Sequence, residues 1–141
     1  MLDILYIEDN PDEADVFRWV MSRWTKSPAY TVLNSGSEAI DYLCRRGTYQ
    51  GQDPPMPRLM LVDLNIPGVS GFEVIQQVRA ISRVRYLPLV VYSTSDNPKD
   101  MRRAYDLGAN AYLIKPGSYH EVSDVMRRAV DFWLTQSQYI P

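Results

Sequence analysis

The chain has 141 residues, 45% hydrophobic and 23% charged, a balance that can build a buried core and excludes an intrinsically disordered polymer. A formal net charge of -2 gives no basic stripe for nucleic acid, and no apolar run reaches the length of a membrane span. Cys44 is the only cysteine, which leaves no internal disulfide or cysteine-based zinc site, and the opening Met-Leu-Asp-Ile is no secretory leader, so a reducing cytoplasm is the expected compartment.

Short apolar, β-branched runs alternate with longer segments of helical spacing. Ile4–Ile7 reads as a first strand and is followed by Glu8 and Asp9. Asn10 is a good N-cap and Pro11 suits a first turn, so a helix is predicted there, with Val16, Val20 and Trp24 recurring every four positions. Trp19 and Trp24 cannot share one narrow stripe, so one is expected to pack and the other to stay available to a partner. Tyr30–Leu33 is a second strand, and Ser35-Gly36-Ser37 leads into a helix with Ala39, Ile40 and Leu43 inward. Cys44 reads as a small apolar helix residue. The stretch 47–58, rich in Gly, Gln and Pro, is a surface connection.

Leu59–Val62 is a third strand ending at Asp63, with a helix predicted from Phe72 to Ile81. Leu89–Tyr92 is a fourth, ending at Ser93-Thr94, with a helix from Pro98 to Leu107. Ala111–Ile114 is a fifth, ending at Lys115-Pro116, with a last helix from Tyr119 to about Ser137 and His120 exposed near its start. Five strands alternating with five helices imply an α/β fold, a doubly wound (βα)5 sandwich around a five-stranded parallel sheet. Residues 1–141 are expected to form a single domain. Phe132, Trp133 and Leu134 are consecutive and span about 200° of a helix, so at least one must point away from the sheet. Either the region 119–141 offers a homodimer or partner surface there, or the tail Ser137 to Pro141 folds back to cover it.

Ligands in such sheets sit beyond the carboxyl ends of the strands. Glu8-Asp9, Asp63, Ser93-Thr94 and Lys115 all stand there. Each alone is more often a cap or a solvated loop residue; Asp9 could simply favour a helix start. Together, three carboxylates at one edge repel and call for a cation, and hard oxygen ligands suit Mg²⁺. With a lysine and a hydroxyl beside them, they have the equipment for phosphoryl transfer to a carboxylate.

Four segments resemble the response-regulator receiver domain, the CheY-like family of two-component signalling: Ile-Glu-Asp-Asn-Pro at 7–11, Leu-Val-Asp-Leu-Asn-Ile-Pro-Gly-Val-Ser-Gly at 61–71, Pro-Leu-Val-Val-Tyr-Ser-Thr at 88–94 and Gly-Ala-Asn-Ala-Tyr-Leu-Ile-Lys-Pro at 108–116. The resemblance implies a flavodoxin-like strand order 2-1-3-4-5 and Asp63 as phosphoacceptor. It implies Glu8, Asp9, Asp63 and the backbone carbonyl of Asn65 as Mg²⁺ ligands, and Lys115 against the phosphoryl oxygens. Ser93 is the implied switch hydroxyl, favoured by counting from Pro88 and from Asp63, with Thr94 as its neighbouring competitor. Tyr112 is the implied aromatic switch partner. The resemblance implies that Asn65 and Ser95 occupy positions that tune phosphate lifetime; neither is a carboxylate or strong base, so unusually fast self-dephosphorylation is not expected. The phosphodonor is then a sensor histidine kinase, with one of the first-helix tryptophans available to it. The segments 92–100, 105–112 and Asp-Phe-Trp-Leu at 131–134 resemble stand-alone receivers paired with bacterial phytochrome or similar kinases. Such a protein is no enzyme beyond self-catalysed phosphotransfer and autodephosphorylation, and serves as an output regulator, a phosphate sink or a relay intermediate.

Two enzyme-like or carrier readings fit less well. A Mg²⁺-dependent aspartyl phosphatase of the haloacid dehalogenase type wants an acid two after the nucleophile, where this chain has Asn65. A flavin or dinucleotide carrier wants a glycine- or hydroxyl-rich first loop, yet Glu-Asp-Asn-Pro-Asp-Glu would repel phosphate.

Overall fold

The structure, a computed structural model, describes residues 2–140. Strands β1 (Ile4–Ile7), β2 (Tyr30–Leu33), β3 (Leu59–Val62), β4 (Leu89–Ser93) and β5 (Ala111–Ile114) form one sheet in the order β2-β1-β3-β4-β5, all pairs parallel. Helices α1 (Pro11–Ser22), α2 (Gly36–Cys44), α3 (Gly71–Ala80), α4 (Pro98–Leu107) and α5 (Tyr119–Asp131) alternate with them. The expected doubly wound sandwich is what the chain adopts.

Why the three central strands are apolar at every position but Ser93 follows from their two-sided burial. Every residue of β1, β3 and β4 is buried. Ile4, Tyr6, Leu59, Leu61, Val90 and Tyr92 face a layer supplied by Phe17, Val20 and Met21 of α1 and Val122, Met126 and Val130 of α5. The alternate residues Leu5, Ile7, Met60, Val62, Leu89 and Val91 face side chains of α2 and α3 and Ala104 of α4. Strands β2 and β5, at the sheet edges, are mostly half-buried.

Helix starts follow the local code. The Asn10 side chain accepts from the amides of Asp12 and Glu13, Ser35 caps α2, Ser70 caps α3 and Ser118 caps α5. The inward stripe of α1 differs from the predicted one: Ala14, Phe17, Val20 and Met21 are buried, while Val16 and Trp24 are half-buried. An every-four spacing drifts about 40° per step around a helix, so a long stripe must mix threes and fours. Trp24 lies past the end of α1 and still packs on the α1/α5 layer, whereas Trp19 is 48% exposed.

Three elements also shift their boundaries. Strand β4 runs one residue further than expected, through Ser93, and α3 begins and ends one residue earlier. The last helix is α-helical only to Asp131; Phe132–Gln136 continue as a π-helical turn. In that turn Phe132 is the outward side chain, 51% exposed, while Trp133 and Leu134 pack on the α1/α5 layer. The described part of the tail, Ser137 to Ile140, leaves Phe132 exposed. Tyr139 instead lies over the Arg58 guanidinium at 4.4 Å, and Arg58 Nη2 donates to the Leu134 carbonyl at 2.6 Å; Pro141 falls outside the described residues.

Candidate functional site

The strand order reverses at β1, so β1 and β3 are neighbours with a crevice beyond their carboxyl ends. Their register pairs Ile7 with Val62, which sets the next residues, Glu8 and Asp63, side by side. The Asp63 amide donates to the Ile7 carbonyl at 3.2 Å, and the Glu8 amide to Leu33 at 2.9 Å. On the far side β4 pairs Ser93 with Ile114, and the Lys115 amide donates to the Ser93 carbonyl at 2.8 Å. Residues 55 to 107 positions from Glu8 thus meet at one edge.

Strand alternation then sorts the side chains. Glu8, Asp63 and Lys115 continue the parity of Tyr6, Leu61 and Leu113, which face the α1/α5 layer. Ser93 continues the parity of Val91, on the α2/α3/α4 side, where Tyr112 also packs. The charged cluster and the Ser93–Tyr112 pair therefore occupy opposite faces of the same strand ends. Ser93 is fully buried, whereas Thr94 lies one residue past β4 and is exposed.

The loop after Asp63 is anchored by buried Leu64 and Ile66, which leaves Asn65 exposed between them with its amide donating to Asp63 Oδ1 at 3.3 Å. Gly71 closes this loop against the site. A Cβ there would stand 2.2 Å from the Asp63 carbonyl oxygen, a distance backbone atoms cannot tolerate.

One ammonium serves several acids. Lys115 Nζ bonds Glu8 Oε1, lies 3.2 Å from Asp63 Oδ2 and 3.8 Å from Glu13 Oε2, and its side chain is 4% exposed. Asp9 is exposed, yet carboxylate oxygens of Glu8, Asp9 and Asp63 all lie within 4.8 Å of one another. Burial, together with the neighbouring Asp63, raises the Glu8 carboxyl from its ordinary 4.5 to about 7, against the downward pull of Lys115. Burial works to lower Lys115, but its bonds to Glu8 and Asp63 outweigh it and raise the ammonium. Both shifts express one state: more acid than base in a dry pocket. Among the described residues Glu8 Oε2 is buried with no hydrogen-bond partner. An orphaned carboxylate oxygen beside two further carboxylates fits a hard divalent cation.

The Ser93 face carries its own network. The Tyr112 ring is half-buried, and its hydroxyl donates to the Ser95 carbonyl at 2.9 Å. The Ser95 amide donates to Ser93 Oγ at 3.3 Å, and Ser95 Oγ to Asp100 Oδ2 at 2.6 Å. Sequence reasoning overlooked Asp100, Glu13 and Tyr6. Glu13 lies in the first turn of α1, just behind the acidic pair, and Tyr6 is two before Glu8, the strand period, a signal the sequence carried.

Residues 4–127 match the protein-family model of the response regulator receiver domain. The chain belongs to that family. This receiver domain is 35% identical over 131 residues to FilR2, a probable methanogenesis regulatory protein of Methanothrix harundinacea, covering 93% of this chain and 83% of that protein. It is 30% identical over 131 residues to the response regulator Rcp1 of Synechocystis sp., covering 93% and 88%. The Mn²⁺-bound structure of Rcp1 has a TM-score of 0.88 to it at 28% identity, over the full length of both chains. The phosphorylated cyanobacterial phytochrome response regulator RcpA has a TM-score of 0.90 at 27% identity, again over both full lengths. The receiver is thus a component of two-component signalling, a family that binds a divalent metal in an acidic pocket, and Glu8, Asp9 and Asp63 form such a pocket here. Among the described residues no helix is long and apolar enough to cross a membrane.

Proposed function

We propose that this receiver accepts a phosphoryl group on Asp63 from a sensor histidine kinase in a Mg²⁺-dependent reaction and signals through a change of shape. The observation that carries the reading is the gathering of Glu8, Asp9 and Asp63 carboxylates around the Lys115 ammonium at the strand-order reversal.

Glu8, Asp9, Asp63 and the Asn65 carbonyl would hold the Mg²⁺, which when bound neutralises charge on the transferring phosphoryl group. An Asp63 carboxylate oxygen attacks phosphorus of the kinase phosphohistidine. The P–N bond breaks, the imidazole leaves with the electron pair and takes up a proton, and an acyl phosphate forms on Asp63. Lys115, raised and therefore charged, turns from Glu8 to a phosphoryl oxygen. The Ser93 hydroxyl moves to another, and its bond from the Ser95 amide transmits that movement to the loop that holds Tyr112 and the start of α4.

Similarity to the phytochrome response regulator RcpA supports a phytochrome-type sensor kinase as the donor, and the receiver is assigned to the cytoplasm. Exposed Trp19 on α1, its ring tilted against that of Tyr119 with centroids 5.4 Å apart, supplies an apolar contact for it. Phe132 is the residue assigned to self-association with a second copy. Incubation with a phosphorylated phytochrome-type kinase should label the wild type, with label lost on chelating Mg²⁺ and absent from Asp63→Asn. Equal labelling of Asp63→Asn would overturn the assignment.

A further inference from the structure

Glu8 is held from one side only. Its Oε1 accepts from the Tyr6 hydroxyl at 3.3 Å and from the Lys115 ammonium, while Oε2 has no partner. Glu8 is 1% exposed, so solvent does not satisfy that oxygen. A carboxylate can turn about its last bond, which is a soft torsion, and a metal ligand that turns binds poorly.

What restrains the turn lies beneath. Tyr6 stands two residues before Glu8 on β1 and therefore on the same face. Its ring is fully buried, with its centroid 4.8 Å from that of Phe17 and 6.1 Å from that of Tyr92; Phe17 in turn meets Tyr30 edge-on at 5.2 Å. Dense packing of this kind holds a side chain in one rotamer. The hydroxyl is consequently a fixed point aimed at Glu8.

The two donors on Oε1 differ in permanence. Lys115 also bonds Asp63 and must reach the phosphoryl group once one arrives. When it leaves, the Tyr6 hydroxyl stays. We propose that Tyr6 is a positioning residue for the metal, pinning Glu8 Oε1 so that Oε2 is presented to a divalent cation both before and after phosphorylation. The proposal rests on the metal-pocket reading of Glu8, Asp9 and Asp63. A neutral hydroxyl is suited to the task because it restrains the carboxylate without adding positive charge that would compete with the ion.

Tyr6→Phe removes one oxygen and keeps the ring. Mn²⁺ binding to the full chain, followed by electron paramagnetic resonance, is compared for wild type, Tyr6→Phe, Glu8→Ala and the double variant. Binding should weaken about tenfold in Tyr6→Phe, with no further loss when Glu8→Ala is already present. A change under about twofold, or an equal loss in both backgrounds, would overturn the positioning role. Wild type that does not take up Mn²⁺, or Glu8→Ala that binds as tightly as wild type, would instead sink the metal pocket and this proposal with it. Should Tyr6→Phe not fold, the wild-type protein labelled with ¹³C at tyrosine Cζ decides: a Tyr6 resonance that shifts with Mg²⁺ supports the contact, and one that stays fixed refutes it.

Discussion

Replacing Glu8 with Gln tests the electrostatics of the pocket without reference to any kinase. Glu8 titrates near 7 in the folded protein and at 4.5 when unperturbed. The native state therefore keeps its proton to higher pH than the unfolded chain, and between those values unfolding releases a proton. Stability contributed by this group is fully present below about pH 4.5 and is lost as pH rises through about 7. A rise of that size is worth about 3 kcal/mol over the whole window, of which about 2 kcal/mol falls between about pH 5.5 and pH 8. Glu8 is buried, so screening by solvent does not reduce this much. Gln has no such proton to lose. Urea unfolding of both proteins at the two pH values, without divalent ions, isolates the effect, because every other titrating group is common to both. Wild type should lose about 2 kcal/mol relative to Glu8→Gln on going to the higher pH. Magnesium at about a hundred times its dissociation constant should restore about 2.7 kcal/mol to wild type at about pH 8, and much less to Glu8→Gln. Parallel loss of stability in the two proteins would refute the argument.

Gly71→Ala should destabilise the fold by more than about 3 kcal/mol in the same assay, since its Cβ would collide with the Asp63 backbone. Phe132→Glu should convert a dimer to a monomer by light scattering with little change in melting temperature, whereas Trp133→Glu should lower the melting temperature because Trp133 packs on the core; equal effects would discard the outward assignment of Phe132. The phosphorylated form should persist well beyond seconds, as judged by loss of label from Asp63, because neither Asn65 nor Ser95 carries a base; a lifetime of seconds, abolished by replacing Asn65, would contradict this. Asp100→Ala should free Ser95 Oγ and weaken the hold of the loop on Tyr112, visible as faster amide exchange at residues 94–97.

Where the signal was local, sequence alone was enough. Runs such as Leu59–Val62 are apolar at every position because both faces of a central parallel strand are covered. Caps such as Asn10 and Ser118 bond amides two or three residues away, so helix starts could be read directly. The alignment of acids, hydroxyl and lysine at strand ends followed from the same periodicity. Other features required the folded chain. Lys115 meets Glu8 across 107 positions, on the same carboxylate oxygen that accepts from the Tyr6 hydroxyl, and the Tyr6 ring packs against Phe17 from α1. Periodicity left open which of Phe132, Trp133 and Leu134 turns outward; the folded chain puts Phe132 there, at the start of a π-helical turn. Periodicity names the face a side chain leaves from; only packing against distant neighbours chooses its rotamer and its partner.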